Sequence, residues 1–169
     1  MNEMDKLSWT NEFFKSKLEI LRGTEKIGSI NWDRAFGSNA QAMINGRLFT
    51  LTREYFLSKL EIYDSNSQAL LGTIMINFFN TRSDVLINGK RFELEIKNFW
   101  QSRWAWKFNG DEIISYTSHE FITKDKGSIE LNSPINDEVE ILLLLGLFVR
   151  NQFIIFMLLI LLVLLVVII

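Results

Sequence analysis

Hydrophobic and polar residues alternate with a period of two through much of the chain, which is the pattern of half-buried β-strands. In residues 91–97, Phe92, Leu94 and Ile96 share one face and four charged residues share the other. Residues 17–20 and 103–108 follow the same pattern. Tight hairpin turns are predicted at three pairs that stand between such runs, namely Asn45-Gly46, Asn88-Gly89 and Asn109-Gly110. Residues 18–131 are therefore predicted to form a series of short antiparallel strands.

The strand pattern also repeats along the chain. The sequence KLEI at 17–20 recurs at 59–62, and IGSI at 27–30 resembles LGTI at 71–74. A weaker third copy begins at 106–110. Each unit of about four strands cannot bury its own apolar face, and no helical pattern separates the units. A closed antiparallel β-barrel, which removes exposed strand edges, is therefore predicted. A propeller is the competing architecture, but three blades would be too few.

Helical patterns are predicted only at the two ends of the chain. Residues 7–15 suggest a short helix or lead-in, with Trp9, Phe13 and Phe14 available for packing. After the barrel, Asn136 or Asp137 can cap a helix whose first turn is acidic, which favours the helix dipole. Residues 141–149 are apolar on every side, so this helix must be buried in protein or in lipid.

The strongest feature of the chain is its apolar end. Residues 153–169 contain only Phe, Ile, Met, Leu and Val. Summed over an insertion scale they favour a bilayer by roughly 5 to 10 kcal/mol. As a helix they measure about 25 Å, slightly less than the ~30 Å hydrocarbon core. The predicted membrane segment opens with Phe153, Ile154, Ile155, Phe156, Met157, Leu158, Leu159 and Ile160.

The chain is thus divided into a lead-in (1–16), a barrel (17–152) with a central helix over 137–152, and a transmembrane tail (153–169). Two alternatives stay open. Residues 141–169 as one membrane helix would measure about 43 Å and would place Arg150 inside the bilayer, at a cost of roughly 2.5 to 3.5 kcal/mol. Alternatively, the whole apolar end is buried in a soluble protein or an oligomer. A division at Arg150 accommodates every residue and is preferred.

Composition and motifs argue against several functional classes. The 18 basic and 20 acidic residues give a net charge of −2, without the basic excess of nucleic-acid-binding domains. Cysteine is absent and His119 is the only histidine, so no metal-ligand spacing exists. Neither Ser115, Ser118 and His119 nor the carboxylates Asp84, Asp111, Glu112 and Glu120 sit in a catalytic motif. The prediction is a non-enzymatic protein without a cofactor, and His119 is expected in a solvated loop.

Two groups of residues are candidates for contact with a membrane. The cluster Phe99, Trp100, Trp104, Trp106 and Phe108 suits either a membrane interface or a barrel core, and the core is preferred because three of its members share one strand face. The candidate headgroup contacts are Lys90, Arg91 and Arg150. For Lys90 and Arg91, a solvated strand face is the preferred alternative.

Repeated hairpins followed by an acidic-capped, wholly apolar helix resemble the tubby C-terminal-like domains, which include the tubby proteins, the LURP-one-related proteins and the phospholipid scramblases. The resemblance covers about residues 17–152 and rests on layout, without a signature motif. It implies a barrel of roughly twelve strands around a central hydrophobic helix. The apolar run after Gln152 departs from soluble members. The lipid-binding basic cluster of tubby proteins has no match here, so phosphoinositide binding is not carried over.

The expected function is a single-pass, membrane-anchored binding or scaffold protein with its barrel on the cytoplasmic side, the side on which Arg150 satisfies the positive-inside rule. Its expected partners are the lipid bilayer through the tail, an anionic lipid and a further protein, and not nucleic acid. The alternative is a phospholipid-binding or scramblase-like protein, which only the resemblance suggests.

Overall fold

The computed structural model of the protein describes residues 6–12, 16–34, 37–54, 59–76, 82–98, 102–120 and 125–168. These residues form twelve strands and one helix: β1 (Lys6–Glu12), β2 (Lys17–Arg22), β3 (Glu25–Trp32), β4 (Asn39–Ile44), β5 (Arg47–Arg53), β6 (Lys59–Asp64), β7 (Leu70–Met75), β8 (Arg82–Ile87), β9 (Lys90–Ile96), β10 (Arg103–Phe108), β11 (Asp111–Glu120), β12 (Asp125–Leu131) and α1 (Asp137–Ile168).

The strands form one closed antiparallel barrel, as the sequence predicted. Each strand pairs with its neighbours in the chain, and β1 closes the barrel by pairing with both β2 and β12. Lys6 lies opposite Glu130 in this closing pair. The expectation of a helix or lead-in over 7–15 is therefore wrong, because Trp9 points into the core from strand β1. The predicted start of the barrel at residue 17 is also wrong, since β1 begins at Lys6. Phe13 and Phe14 lie outside the described residues.

The sequence repeat is visible as a repeat of hairpin geometry. A β-bulge interrupts the register after Ile20 in the β2–β3 pair, after Ile62 in the β6–β7 pair and after Trp106 in the β10–β11 pair. Ile20, Ile62 and Trp106 occupy equivalent positions in successive units of four strands. A bulge increases the local twist of a hairpin, and three equivalent bulges distribute that twist around the closed wall. The third unit has its fourth strand supplied by β1.

Helix α1 fills the barrel along its axis. Alternate residues of the strands point inward, and residues 141–145 of the helix are buried against them. The helix enters where the three Asn-Gly turns lie, and we call this the entry end. It leaves at the opposite end, where β5 ends at Arg53 and β6 begins at Lys59, and we call this the exit end. All three Asn-Gly turns have positive φ at both residues, which fits the predicted hairpins.

Polar contacts fix the start of the helix at the entry end. The Asn136 side chain accepts a hydrogen bond from the Val139 amide at 2.9 Å, which is an N-cap. Glu140 accepts hydrogen bonds from Asn45 at 2.7 Å and from Arg47 at 3.2 Å. Lys90 pairs with Glu138 at 2.9 Å. The acidic first turn is therefore held by the hairpin turns around it as well as by the helix dipole.

A second set of contacts fixes the helix deep in the core. The Trp106 indole N–H donates to the Leu142 carbonyl at 2.7 Å, and the Tyr116 hydroxyl approaches the same oxygen at 3.2 Å. Burial raises the pKa of Tyr116 well above its ordinary value, so the hydroxyl remains a donor. Both side chains lie against Gly146, where a Cβ atom would stand 2.5 Å from the Tyr116 oxygen. Only glycine permits this approach between helix and wall.

We expect Gly146→Ala to lower the free energy of unfolding by about 1 to 3 kcal/mol, because the added methyl group must displace Tyr116 or shift the helix. Urea denaturation of the purified protein measures this loss. Introducing Gly146→Ala into a Tyr116→Phe background removes the closest oxygen, so its additional cost there is expected to be smaller. Equal costs in both backgrounds would assign the clash to the Tyr116 ring carbon and the Trp106 nitrogen, at 2.7 and 2.9 Å from the added methyl group. No loss of stability from Gly146→Ala would contradict a clash at this point.

Candidate membrane-facing site

The far end of helix α1 projects out of the barrel. Residues 158–167 are partly or fully exposed, and every one of them is Leu, Ile or Val. An exposed surface that is apolar on all sides of a helix has no favourable place in water. By length and composition, α1 is the one helix among the described residues that could cross a membrane.

The boundary between barrel and tail differs from the predicted division after Gln152. Phe153, Ile154 and Ile155 are buried inside the exit end, and Phe156 and Met157 are half-buried. The first part of the predicted membrane segment therefore belongs to the barrel core. The exposed residues 158–167 measure about 15 Å as a helix, close to half of a ~30 Å hydrocarbon core. The sequence placed the boundary too early because it followed side-chain polarity, and polar residues lie inside this barrel.

The structure rejects one of the two alternatives for the apolar end and limits the other to burial in an oligomer. Residues 141–155 are buried within the barrel, so a single membrane helix over 141–169 is wrong. The exposure of residues 158–167 contradicts complete burial of the apolar end within this one chain.

A buried ion pair explains how Arg150 enters the core. Its guanidinium group pairs with Asp125, and it donates a hydrogen bond to the Ser118 hydroxyl at 2.9 Å. It also lies over the Trp104 ring, 5.1 Å from the centroid. The side chains of Arg150 and Asp125 are only 3% and 5% exposed. Burial lowers the pKa of Arg150, and the Asp125 carboxylate opposes that shift.

Arg150 is therefore not a headgroup contact, contrary to the sequence prediction. Its charge is already neutralised inside the barrel by Asp125, which a reading of the helix alone cannot reveal. The two residues that follow are also buried. Asn151 accepts a hydrogen bond from Asn11 at 3.3 Å, and Gln152 donates to the Gly37 carbonyl at 3.3 Å. The Arg150–Gln152 stretch thus ties the helix to strands β1, β11 and β12 and to the segment before β4.

Lys90 and Arg91 lie at the entry end of the barrel, opposite the end from which residues 158–167 project. Lys90 contacts Glu138 at the start of α1, and Arg91 pairs with Asp84 on the outer wall. Glu138 precedes Leu158 by a helical rise of about 30 Å. If residues 158–167 enter a bilayer, side chains at the entry end are too far from its headgroups to contact them. The alternative of a solvated, paired strand surface describes both of these exposed residues.

The aromatic cluster belongs to the core where it can be described. Trp104 and Trp106 are buried, and Trp104 stacks on Tyr116 with 4.7 Å between ring centroids. Phe108 packs against Phe92 at 5.1 Å. The preferred core assignment is correct for these members. Phe99 and Trp100 lie outside the described residues.

The residues considered for catalysis are dispersed along the wall. His119 is exposed on strand β11, not in a loop, and its Nε2 lies 3.1 Å from the Ser128 hydroxyl. Ser118 contacts the buried Asp125–Arg150 pair instead. Asp84 pairs with Arg91 and Glu112 pairs with Lys97. Within the described part of the chain no group of His, Asp and Glu side chains is suited to hold a metal ion.

One crevice of about 160 Å³ opens at the entry end between the helix start and strands β9 to β11. Its lining includes Lys90, Phe92, Phe108 and Asn136. Small-molecule sites are usually about 300 to 1,000 Å³ in volume. The crevice is small against that range and contains one basic and one acidic side chain that pair with each other.

Strand order reveals a pattern that the sequence analysis missed. In the sequence, every second segment between strands, beginning with the one between β1 and β2, contains at least one aromatic residue. These aromatic residues are Phe13 and Phe14, Phe36, Tyr55 and Phe56, Phe78 and Phe79, Phe99 and Trp100, and Phe121, all outside the described residues. The five hairpin connections at the entry end contain none. Separating alternate connections would have exposed this signal, but that requires the strand assignment first.

Comparison of the chain with models of known protein families, with curated proteins and with solved structures gives no match.

Proposed function

We propose that this chain is a non-enzymatic, membrane-anchored binding or scaffold protein. The observation that carries the proposal is the continuous passage of one helix from a buried core to an exposed surface of ten apolar residues, 158–167. The buried half is fixed by capping, ion-pair and hydrogen-bond contacts, so the exposed half is held rigidly at one end of a folded domain. Such an arrangement favours insertion of the exposed half into lipid.

The charged outer wall of the barrel indicates that the barrel domain stays in water. Ion pairs cover this wall, including Lys17–Glu19 within β2 at 2.7 Å, Lys59–Glu61 within β6 at 2.7 Å and Lys107–Glu95 between β10 and β9 at 2.5 Å. A charged wall is incompatible with the hydrocarbon region, so the tail alone is the part to be inserted. We place the barrel on the cytoplasmic side, because basic residues at the exit end accord with positive-inside orientation.

The tubby-like assignment remains part of this proposal. A closed barrel of twelve strands around a hydrophobic helix agrees with the layout that the resemblance implies. A scramblase-like activity is less well supported. Lipid transfer needs a polar path, whereas residues 158–167 offer no polar side chain and the barrel axis is occupied by α1. The partner that the domain binds or organises is expected to be a protein.

A truncation series tests the anchorage. We expect the full-length chain to resist carbonate extraction and to require detergent for solubilisation. A chain ending at Met157 is expected to be soluble and folded, because it keeps the buried residues 153–155. Ending the chain at Gln152 instead removes three buried side chains and is expected to lower its stability relative to the Met157 version.

Sedimentation after carbonate treatment and circular dichroism report the two properties separately. A full-length chain that behaves as a soluble monomer without detergent would refute the proposed anchorage. Equal stability of the two truncated chains would show that residues 153–155 do not contribute to the core.

A further inference from the structure

The junction between the barrel and the exposed helix contains no spacer. Ile155 is buried at the exit end and Leu158 is exposed, and α1 is continuous between them. Three residues advance a helix by about 4.5 Å. The polar headgroup region on each side of the hydrocarbon core is about 5 to 8 Å deep. If residues from 158 onward lie in hydrocarbon, the exit end of the barrel lies within the headgroup layer.

Basic residues outnumber acidic residues at that end, where β1 and β11 end on Glu12 and Glu120. Five strands begin or end there on a basic residue, and a sixth basic residue follows β3. All six side chains are partly or fully exposed. We define the basic rim as these residues: Lys17, Arg34, Arg53, Lys59, Arg82 and Arg103. They belong to five different hairpins, so they are distributed around the circumference of the barrel.

Some of this charge is neutralised locally and some is not. Lys59 pairs with Glu54 at 3.0 Å and with Glu61 at 2.7 Å, and Arg82 lies 3.5 Å from Glu93. Lys17 pairs with Glu19, and Asp33 is an exposed acid beside Arg34. Among the described residues, Arg34 and Arg103 form no ion pair. At the entry end, by contrast, Arg47 and Lys90 form ion pairs with acidic residues in the first turn of α1.

We propose that the basic rim seats the barrel on the anionic phospholipid headgroups of the leaflet that residues 158–167 enter. This inference rests on the proposed membrane anchorage. The continuous helix sets the barrel upright, with the exit end against the lipid and the entry end about 30 Å further from it. Each basic residue near an anionic surface strengthens docking about fivefold at moderate salt. The basic rim therefore makes docking depend on the charge of the lipid, while the apolar tail drives insertion into the hydrocarbon region.

The absence of cysteine allows a direct test on the full-length chain. Single cysteines at Ser38, near the exit end, and at Thr24, in the turn between β2 and β3 at the entry end, are labelled with an environment-sensitive fluorophore. The protein is then incorporated into nanodiscs of phosphatidylcholine alone or with 30% phosphatidylserine, a composition chosen to give about the charge of an anionic leaflet. We expect the probe at residue 38 to be protected from acrylamide, an uncharged quencher, more strongly with phosphatidylserine than without it, and the probe at residue 24 to be quenched equally in both.

The decisive comparison uses two variants that each remove two positive charges. Arg34→Gln with Arg103→Gln is expected to weaken docking about 25-fold, so that protection of the probe at residue 38 with phosphatidylserine falls to the level in phosphatidylcholine alone. Lys90→Gln with Arg91→Gln removes equal charge at the entry end and is expected to leave protection unchanged. Raising the salt concentration should weaken docking of the unmodified rim.

Distinct outcomes separate the inference from the anchorage on which it rests. Incorporation into nanodiscs with equal acrylamide quenching of the probe at residue 38 in both lipids would preserve the anchorage and overturn docking through the rim. Loss of protection in the Lys90 and Arg91 variant but not in the Arg34 and Arg103 variant would also overturn it. A chain that does not enter nanodiscs at all would refute the anchorage and the rim together.

Discussion

The full-length chain carrying Leu144→Asp is expected to lose its folded barrel, whereas the chain carrying Leu161→Asp is expected to keep it. Leu144 lies in the middle of the buried part of α1 and is fully buried against the barrel wall. The substitution removes a core side chain, which costs about 2 to 5 kcal/mol, and adds a buried group without a charge partner. Together these costs are comparable with the ~5 to 15 kcal/mol of stability that such domains possess.

Leu161 is the matched position, because it lies on the same helix and is 52% exposed. Aspartate there should leave the barrel intact and instead weaken membrane insertion, at about 2.5 to 3.5 kcal/mol if the residue reaches the bilayer centre. Circular dichroism and chemical denaturation measure the first property, and carbonate extraction measures the second. If Leu144→Asp folds normally, the helix does not fill the barrel as described; unfolding by Leu161→Asp would place residue 161 in the core.

Cutting the chain after Asn136 serves as a coarser form of the same experiment. It removes all of α1, and the inward faces of twelve strands would then enclose no side chains from the axis. A well-folded, monomeric fragment of residues 1–136 would show that the helix is not needed for the barrel.

Much of the barrel could be predicted from the sequence because its signals are local. The Asn-Gly turns and the alternation around residues 91–97 each lie within one hairpin, so neighbouring residues carry the necessary information. Strand β1 was missed for the opposite reason. One of its two partners, β12, lies at the far end of the chain, with Lys6 opposite Glu130, and no local pattern reports that pairing. Its other partner, β2, is adjacent in sequence, but no Asn-Gly pair stands between β1 and β2 to mark a hairpin.

The exit end escaped prediction for a related reason. The basic rim consists of residues far apart in sequence that only barrel closure brings to one edge. Polarity at Arg150, Asn151 and Gln152 suggested a boundary with water or lipid, because the sequence does not show that Asp125 and Asn11 meet those side chains inside the barrel. Buried polar groups of this kind depend on tertiary contacts and cannot be assigned from hydropathy.

The pairing of Arg150 with Asp125 gives the second large effect. We expect Asp125→Ala to lower the free energy of unfolding by about 3 to 5 kcal/mol, because it leaves a guanidinium group buried without its carboxylate. Asp84→Ala removes the carboxylate of an exposed ion pair with Arg91 and is expected to have little effect. Urea denaturation of both variants in detergent provides the comparison.

A double replacement shows whether the loss comes from the unpaired charge. Arg150→Met together with Asp125→Ala removes both charges and keeps an apolar chain near Trp104, so we expect it to be more stable than Asp125→Ala alone. A double variant less stable than the single one would mean that Arg150 stabilises the barrel mainly through its contacts with Ser118 and Trp104. A double variant more stable than Asp125→Ala would instead show that the loss comes from the unpaired charge of Arg150. Asp125 then makes the buried arginine tolerable, so that one helix can continue from the core into the exposed apolar tail.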